Sequence, residues 1–179
     1  MSAKKIIETD LEYIIDNLSE ELNIISGNRM LITGGGGFLG YYLVQAIVKW
    51  NLYASDNNTK EIDLVVYDNF ARGMPMWLEV LLKKGLLTVK KHDVNDPLPS
   101  DIGDVTYIIH AASIASPIYY RKNPIETMDA NVNGLRYLLN FIKDRSNDKK
   151  FVGGLLYFST SEIYGDPDSN NIPTSEDIE

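Results

Sequence analysis

Residues 31–40 read Leu31-Ile32-Thr33-Gly34-Gly35-Gly36-Gly37-Phe38-Leu39-Gly40, and this segment indicates the fold more clearly than any other part of the chain. Its glycines at positions 34, 37 and 40 follow a short apolar run, and an apolar helical pattern begins at Phe38. A strand, a glycine-rich turn and a helix in this order let backbone N–H groups approach a pyrophosphate at the positive end of the helix. We therefore expect a phosphate-binding loop here, with an ordinary glycine turn as the alternative.

Strand and helix patterns alternate outward from this loop. The patterns predict strands at 30–33, 62–67, 86–89, 105–109 and 151–158, and helices at 5–23, 38–50, 77–82 and 123–145. Such alternation is typical of an α/β fold of Rossmann type, a doubly wound parallel sheet with strand order 3-2-1-4-5. The ligand crevice then lies at the carboxyl ends of strands 1 and 4, where the strand order reverses.

Two domain-level units are expected, an N-terminal amphipathic helical extension at 1–27 and a nucleotide-binding domain of Rossmann type at 28–179. The polar segment 51–60 is interpreted as a surface loop inserted before the second strand. The long helix is expected to begin with a capping box, in which Asn123 is the cap, Pro124 takes the first helical position and Glu126 completes the motif.

Composition excludes several classes of function. A net charge of −8 argues against a nucleic-acid-binding or anionic-membrane surface. Without cysteine there is no disulfide and no thiolate metal site, and His92 and His110 lack the spacing of metal ligands, so no metal is expected. No signal peptide and no membrane-length apolar run are visible, so a cytoplasmic location is expected.

An acid ends the second predicted strand. Asp68 in that position can accept hydrogen bonds from both adenosine ribose hydroxyls and would repel a 2′-phosphate, which favours NAD over NADP. The alternative is a solvated turn acid, in the sequence Asp68-Asn69. Arg72 could reach a phosphate, although a lone arginine beside a turn is usually only solvated. Asp68 lies 34 residues after Gly34, a long separation that the loop at 51–60 would explain.

Three further strand ends carry candidate groups. Asp93 follows the third strand and could accept a hydrogen bond from an adenine amino group. The segment His110-Ala111-Ala112-Ser113 closes the fourth strand with small residues that a cofactor can pass closely, and His110 is expected to be structural. The fifth strand is followed by Ser159-Thr160-Ser161-Glu162, where a hydroxyl could hold a sugar hydroxyl; turn chemistry is the alternative.

Taken in order, several segments resemble the extended short-chain dehydrogenases/reductases that act on nucleotide sugars, the NAD-dependent epimerase/dehydratase family. The match covers about residues 28–167, and the segments that carry it are Thr33–Gly40, Asp68-Asn69-Phe70, His92-Asp93-Val94, His110-Ala111-Ala112, Asn131-x-x-Gly134 and Ser159–Gly165. Within that family the chain is most similar to UDP-glucuronate decarboxylases, in Ser159–Pro167, Ala115-Ser116-Pro117 and Asn123-Pro124-Ile125.

The resemblance implies a role for each matching residue. NAD would be the cofactor, and the residues implied to bind it are Gly34, Gly37, Phe38, Leu39 and Gly40 at the pyrophosphate, Asp68, Asn69 and Arg72 at the adenosine end, Asp93 and Val94 at the adenine, and Ala111, Ala112, Ser113 and Asn131 toward the nicotinamide. Tyr120 would touch substrate. The candidate catalytic residues are Thr160, Ser161 and Glu162, with Glu162 handling the proton after carbon dioxide leaves.

Two departures from the family bear on the reaction. Related dehydratases carry Thr-Asp-Glu at 160–162, so serine at position 161 argues against dehydration, whereas a 4-epimerase needs only the hydroxyl of Thr160. Family members also carry a catalytic Tyr-x-x-x-Lys after the fifth strand. Tyr164 is not that tyrosine, because position 168 is Asp and no other tyrosine follows. We expect the 179-residue chain to bind NAD weakly at best and to be inactive alone.

The sequence therefore predicts the NAD-binding portion of a UDP-glucuronate decarboxylase that oxidises C4, releases carbon dioxide and re-reduces the sugar to UDP-xylose. The alternatives are a nucleotide-sugar 4-epimerase and a non-catalytic NAD-binding module. The complete protein is expected to be a homodimer that acts on a nucleotide sugar and binds neither nucleic acid nor membranes.

Overall fold

The computed structural model describes residues 2–148 and 150–177. Eleven regular elements are assigned in these residues. They are α1 (Ala3–Asn17), α2 (Ser19–Ile25), β1 (Arg29–Thr33), α3 (Phe38–Asp56), β2 (Asp63–Asp68), α4 (Met76–Lys83), β3 (Thr88–Lys91), β4 (Val105–His110), α5 (Pro117–Lys122), α6 (Pro124–Asn147) and β5 (Gly154–Tyr157). Short 3₁₀ turns lie at Ser100–Ile102, Ser161–Tyr164 and Ser169–Asn171.

The five strands form one parallel sheet in the order β3-β2-β1-β4-β5, as the sequence predicts. The central strand β1 pairs with β2 on one side and with β4 on the other. At its carboxyl end, Thr33 is opposite Tyr67 of β2 and His110 of β4. Because all strands run in the same direction, the segments that follow them emerge at one edge of the sheet.

The sheet is buried on both faces, which explains why its central strands are apolar without interruption. Alternate residues of β1 enter different cores: Met30 and Ile32 pack with α3 and α4, whereas Leu31 packs on the other face with Leu138 of α6. The same alternation in β2 sends Leu64 and Val66 to the first face, and Val65 and Tyr67 to the second. The result is a three-layer α/β/α domain of Rossmann type.

The segment 51–60 is not the surface loop that its polarity suggests, because α3 continues through it to Asp56. Asn51 is buried, and its side chain holds the backbone of Ile62: Nδ2 donates to the carbonyl oxygen and Oδ1 accepts from the N–H, both at 2.8 Å. This pairing satisfies two backbone groups just before β2. The long separation between Gly34 and Asp68 is therefore explained by a longer helix and not by an insertion.

The N-terminal segment forms two helices and not the single helix expected over 5–23. Leu18, with φ −113° and ψ 16°, interrupts the helix between α1 and α2. The first helix packs on α3 through buried Leu11 and Ile15, through a hydrogen bond from Tyr42 to Asp10 (2.9 Å) and through an ion pair of Lys49 with Glu12 (3.2 Å).

The predicted capping box of the long helix is not formed. Asn123 Nδ2 instead donates to the carbonyl oxygen of Tyr119 (3.0 Å), at the end of α5, a short helix that the sequence patterns did not predict. Pro124 does occupy the start of α6, as expected. The strands also differ at their bounds: β3 begins two residues later than predicted, and β5 is limited to Gly154–Tyr157.

In the described part of the chain, each helix is too short or too polar to cross a bilayer.

Candidate functional site

The glycine loop is held against both neighbouring strands by its own backbone. Gly34 N–H donates to the carbonyl oxygen of Tyr67 (2.7 Å), and Gly37 N–H donates to that of Gly34 (3.0 Å). Gly34 has φ +73°, and a β-carbon there would lie 2.6 Å from the backbone of Ala111 and Ala112. Only glycine allows the loop to approach the end of β4 so closely.

The start of α3 suits an anionic ligand. Gly37 is the N-cap residue and no side chain caps the helix, so N–H groups of the first turn have no side-chain acceptor. A β-carbon at Gly40 would lie 2.5 Å from Gly35 O, which shows how tightly the helix start packs on the loop. Phe38 is 84% exposed and Leu39 is also exposed, so the backbone around them is open to a ligand. This cradle fits the pyrophosphate of a dinucleotide.

Both carboxylate oxygens of Asp68 accept backbone hydrogen bonds. Oδ2 accepts from Gly36 N–H (3.0 Å), and Oδ1 accepts from Phe70 N–H (2.8 Å). Asp68 is therefore more than a solvated turn acid, because it joins the end of β2 to the glycine loop. Each oxygen keeps a second lone pair that can accept from a ligand hydroxyl.

Asn69 and Asp93 form the outer part of this edge. Asn69 Nδ2 donates to Asp93 Oδ2 (3.1 Å), and Asp93 Oδ1 accepts from Asn95 N–H (3.0 Å). Burial raises the pKa of Asp93, but the hydrogen bonds from Asn95 and Asn69 outweigh it and hold the pKa below its ordinary value. The carboxylate stays ionised at neutral pH and can accept from an amino group.

These side chains line an open groove of about 450 Å³. Sequence reasoning identified Asn69 and Asp93 but missed four other lining residues, which are Ala71, Lys91, His92 and Asp96. Lys91 is the register partner of Asp68 across β2 and β3, so the strand pairing was the signal that would have found it.

The fourth strand ends in a buried histidine, as expected for a structural role. His110 is 1% exposed, and its Nδ1 shares a 2.6 Å hydrogen bond with Thr33 Oγ1. Burial lowers the pKa of His110 to about 4, so the ring is neutral at physiological pH. Ala111 N–H donates to Thr33 O (3.0 Å), which continues the join between β1 and β4 beneath the glycine loop.

The segment Thr160-Ser161-Glu162 follows β5 at the same edge of the sheet. Thr160 Oγ1 accepts from Glu162 N–H (3.2 Å) and caps the 3₁₀ turn Ser161–Tyr164. All three side chains are exposed. The turn chemistry considered from sequence is therefore present, and it leaves the hydroxyl of Thr160 and the carboxylate of Glu162 facing outward from the fold.

The remaining predicted site residues differ in their surroundings. Asn131 donates its amide to Thr127 O of its own helix (2.8 Å), and Val94 packs against Gly134 of α6. Tyr120 is half-buried on α5, whereas Ser113 and Arg72 are exposed. Among the described residues, no hydrogen bond joins Asn131 or Val94 to the glycine loop.

Within residues 2–148 and 150–177, no three histidine or carboxylate side chains gather in a way that could hold a metal ion.

Comparison with known proteins gives this site its context. Residues 30–179 match the model of the NAD dependent epimerase/dehydratase family. UDP-glucuronic acid decarboxylase 6 of Arabidopsis thaliana is 34% identical over 142 residues, which are 79% of this chain and 36% of that protein. UDP-glucuronic acid decarboxylase 1 of Danio rerio is 34% identical over 149 residues, which are 83% of this chain and 31% of that protein.

Solved structures agree with the fold. The UDP-Glc/GlcNAc 4-epimerase of Campylobacter jejuni superposes with a TM-score of 0.63 at 20% identity, over 80% of this chain and 40% of that one. The NAD-dependent NDP-hexosamine 5,6-dehydratase TunA superposes with a TM-score of 0.58 at 28% identity, over 84% of this chain and 42% of that one. The chain spans about a third of the length of the curated relatives it matches. From the family match over 30–179 and these relatives, the chain belongs to the NAD dependent epimerase/dehydratase family.

Proposed function

We propose that this chain is the NAD-binding portion of a nucleotide-sugar-modifying enzyme, and that the enzyme is a UDP-glucuronate decarboxylase. The observation that carries the first part is the uncapped start of α3 beside Asp68, at the edge of the sheet where Thr160 and Glu162 emerge. The second part is supported by the curated relatives, which include UDP-glucuronic acid decarboxylases from plants and vertebrates at 31–35% identity.

In this proposal the glycine loop holds the cofactor by its backbone. N–H groups at the start of α3 bind the pyrophosphate, and Gly34 lets the loop that leads to this helix pack closely on Ala111 at the end of β4. Asp68 accepts from the ribose hydroxyls of the adenosine, and Asp93 accepts from the adenine amino group. The nicotinamide, when bound, accepts and returns a hydride at C4 of the sugar.

The residues after β5 would act on the sugar. Thr160 would hold the sugar hydroxyl at C4 in position while that carbon is oxidised. A ketone at C4 lies β to the C6 carboxylate, so carbon dioxide can leave into an enolate, and Glu162 would manage the proton that this enolate takes up. Ser161 adds a second hydroxyl, and Tyr120 is proposed to touch the substrate from α5.

Cofactor binding is tested by titrating NAD into the 179-residue chain by calorimetry. We expect weak but measurable binding that Asp68→Ala reduces by about tenfold, because a ribose hydrogen bond to a charged acceptor is lost. Asp63→Ala is the matched control, since Asp63 lies at the other end of the same strand and pairs with Arg29. NADP should bind more weakly than NAD. Equal affinity for both cofactors would contradict the role of Asp68.

The reaction is tested in a chimera that keeps this chain through Pro167 and continues it with the C-terminal part of the Arabidopsis thaliana decarboxylase 6. We expect carbon dioxide from UDP-glucuronate. Thr160→Ala, which loses the hydroxyl that positions the sugar, and Glu162→Gln, which loses an acid–base group, should each lower kcat by about a hundredfold. Asp166→Asn, an exposed change in the same segment, is the control. A chimera that binds NAD but releases no carbon dioxide would contradict the decarboxylase assignment.

A 4-epimerase is the second candidate, because the solved structures with this fold include UDP-sugar 4-epimerases. Formation of the 4-epimer in place of carbon dioxide would favour it.

We also propose that the complete protein is a homodimer that uses α6. The helix exposes an apolar series at its outer face, which consists of Ile125, Met128, Val132 and Leu139. Such a series on a soluble helix is typical of a surface that another element covers.

A further inference from the structure

We propose that Phe70 is a positioning residue, whose ring holds the glycine loop against Asp68; this inference rests on the proposed cofactor site. Phe70 has φ +51°, a left-handed conformation that is rare for a bulky residue. Backbone strain of this kind persists where surrounding contacts impose it, and it is frequent at ligand sites.

The contacts that impose this conformation are local and specific. Phe70 N–H donates to Asp68 Oδ1 (2.8 Å), and Phe70 O accepts from Gly73 N–H (2.8 Å). The reversed chain directs the ring back over the glycine loop: a β-carbon built on Gly36 would lie 3.4 Å from Phe70 Cε1 and 3.1 Å from Asp68 Oδ2. Gly36 N–H meanwhile donates to that same Oδ2 (3.0 Å).

Phe70 therefore closes a three-part arrangement with Gly36 and Asp68. Its ring is half-buried and packs against the core beneath α3 and α4, so the loop is fixed to the rigid part of the domain. Without the ring, the loop can move away from β2 and Gly36 N–H loses its carboxylate acceptor. The adenosine-binding carboxylate and the pyrophosphate-binding backbone would then no longer be held at a fixed separation.

The test distinguishes the effect of losing the Phe70 ring from the effect of strain in the left-handed backbone at this position. Phe70→Ala and Phe70→Gly both remove the ring, but only glycine adopts the left-handed conformation without strain. Phe151→Ala removes an equal side chain that is 75% exposed and distant in sequence from the loop, and it serves as the control. Phe70→Leu keeps apolar bulk in the core and replaces Phe70→Ala if that variant does not fold.

Hydrogen exchange of the Gly36 amide in the ¹⁵N-labelled chain is the readout that needs no cofactor. We expect the amide to exchange at least about tenfold faster in both ring-less variants, and NAD to bind about tenfold more weakly. Gly34 N–H is the internal reference, because its bond to Tyr67 O does not involve Phe70.

Wild-type Gly36 protection in Phe70→Gly would overturn the proposal, since the ring would then be dispensable. Equal acceleration at Gly34 and Gly36 would also overturn it, because the effect would be a general loss of stability. If wild-type protein binds no NAD, the proposed cofactor site fails, while the exchange rate of Gly36 still decides the role of the ring.

Discussion

Protonation of His110 should destabilise this fold as the pH falls from neutral toward 4. The ring is 1% exposed, Nδ1 shares its hydrogen bond with Thr33 Oγ1, and Nε2 has no hydrogen-bond partner among the described residues. A positive charge there would be buried without a counter-charge, which is why burial lowers the pKa from 6.5 to about 4.

The size of the effect follows from the two pKa values. Between pH 6.5 and 4 the unfolded chain binds a proton at His110 that the folded chain does not. The free energy of unfolding therefore decreases as the pH is lowered through this range. A difference of about 2.5 between the pKa values corresponds to about 3 kcal/mol at the acid limit. At pH 5 the loss is about 2 kcal/mol relative to pH 7.5.

Urea denaturation from pH 7.5 to 5 measures this loss, and the Cε1–H shift of His110 gives its pKa in the folded state. The His110→Asn variant keeps a polar atom near the position of Nδ1 but does not titrate, so its stability should vary less with pH. His92→Asn is the comparison: burial also lowers the pKa of His92, but this ring is only half-buried. A folded-state pKa near 6.5 for His110, or equal pH dependence of stability in wild type and His110→Asn, would show that burial does not suppress the protonation of His110.

Three other predictions concern packing and charge. Gly34→Ala should destabilise the fold by about 2–4 kcal/mol and Gly85→Ala by only about 1 kcal/mol. Both glycines have positive φ, but only a β-carbon at Gly34 meets backbone atoms; equal losses of stability in thermal unfolding would contradict this. Asn51→Ala should lower the free energy of unfolding, measured in urea, by about 2–4 kcal/mol, because the buried N–H and carbonyl groups of Ile62 lose their partners. A decrease below about 0.5 kcal/mol would show that these groups are solvated instead. Hydrogen bonds and charge from Lys150, and then Arg145, hold the pKa of Asp104 below its ordinary value, so the stabilising charge of Asp104 is lost as the pH falls through that lowered pKa. Carboxyl NMR should show a higher pKa of Asp104 in Lys150→Met, and an unchanged titration would contradict the pairing.

The candidate site was partly readable from sequence because some of its requirements are local. A glycine pattern between a strand and a helix specifies a loop whose backbone approaches a ligand, and Asp68 is recognisable by its position at a strand end. The backbone N–H donors that Asp68 satisfies could not be read in this way. Gly36 is 32 residues away in the chain, and the left-handed conformation of Phe70 has no pattern of its own in sequence.

The bounds of the helices likewise show where local sequence preferences hold and where contacts with other segments outweigh them. The polarity of 51–60 predicts a loop, yet α3 continues to Asp56 because Asn51 finds buried backbone partners at Ile62. The capping motif at Asn123 is locally correct, but α5 ends directly before it and offers the carbonyl of Tyr119 instead. In both places a tertiary or neighbouring contact outweighed a local preference of about 1 kcal/mol.

The sequence alone predicts the alternation of strands and helices, the glycine loop after the first strand and, through the fold class that this alternation indicates, the order of the sheet. The alternation and the loop follow from hydrophobic periodicity and from backbone freedom, which are properties of short segments. The groups that meet at the carboxyl edge of the sheet are known only from the folded structure: Gly36 with Asp68, Asn69 with Asp93, and Thr33 with His110. Hydrogen bonds form over about 3 Å between residues far apart in the chain, so their partners are fixed only when the strands take their register.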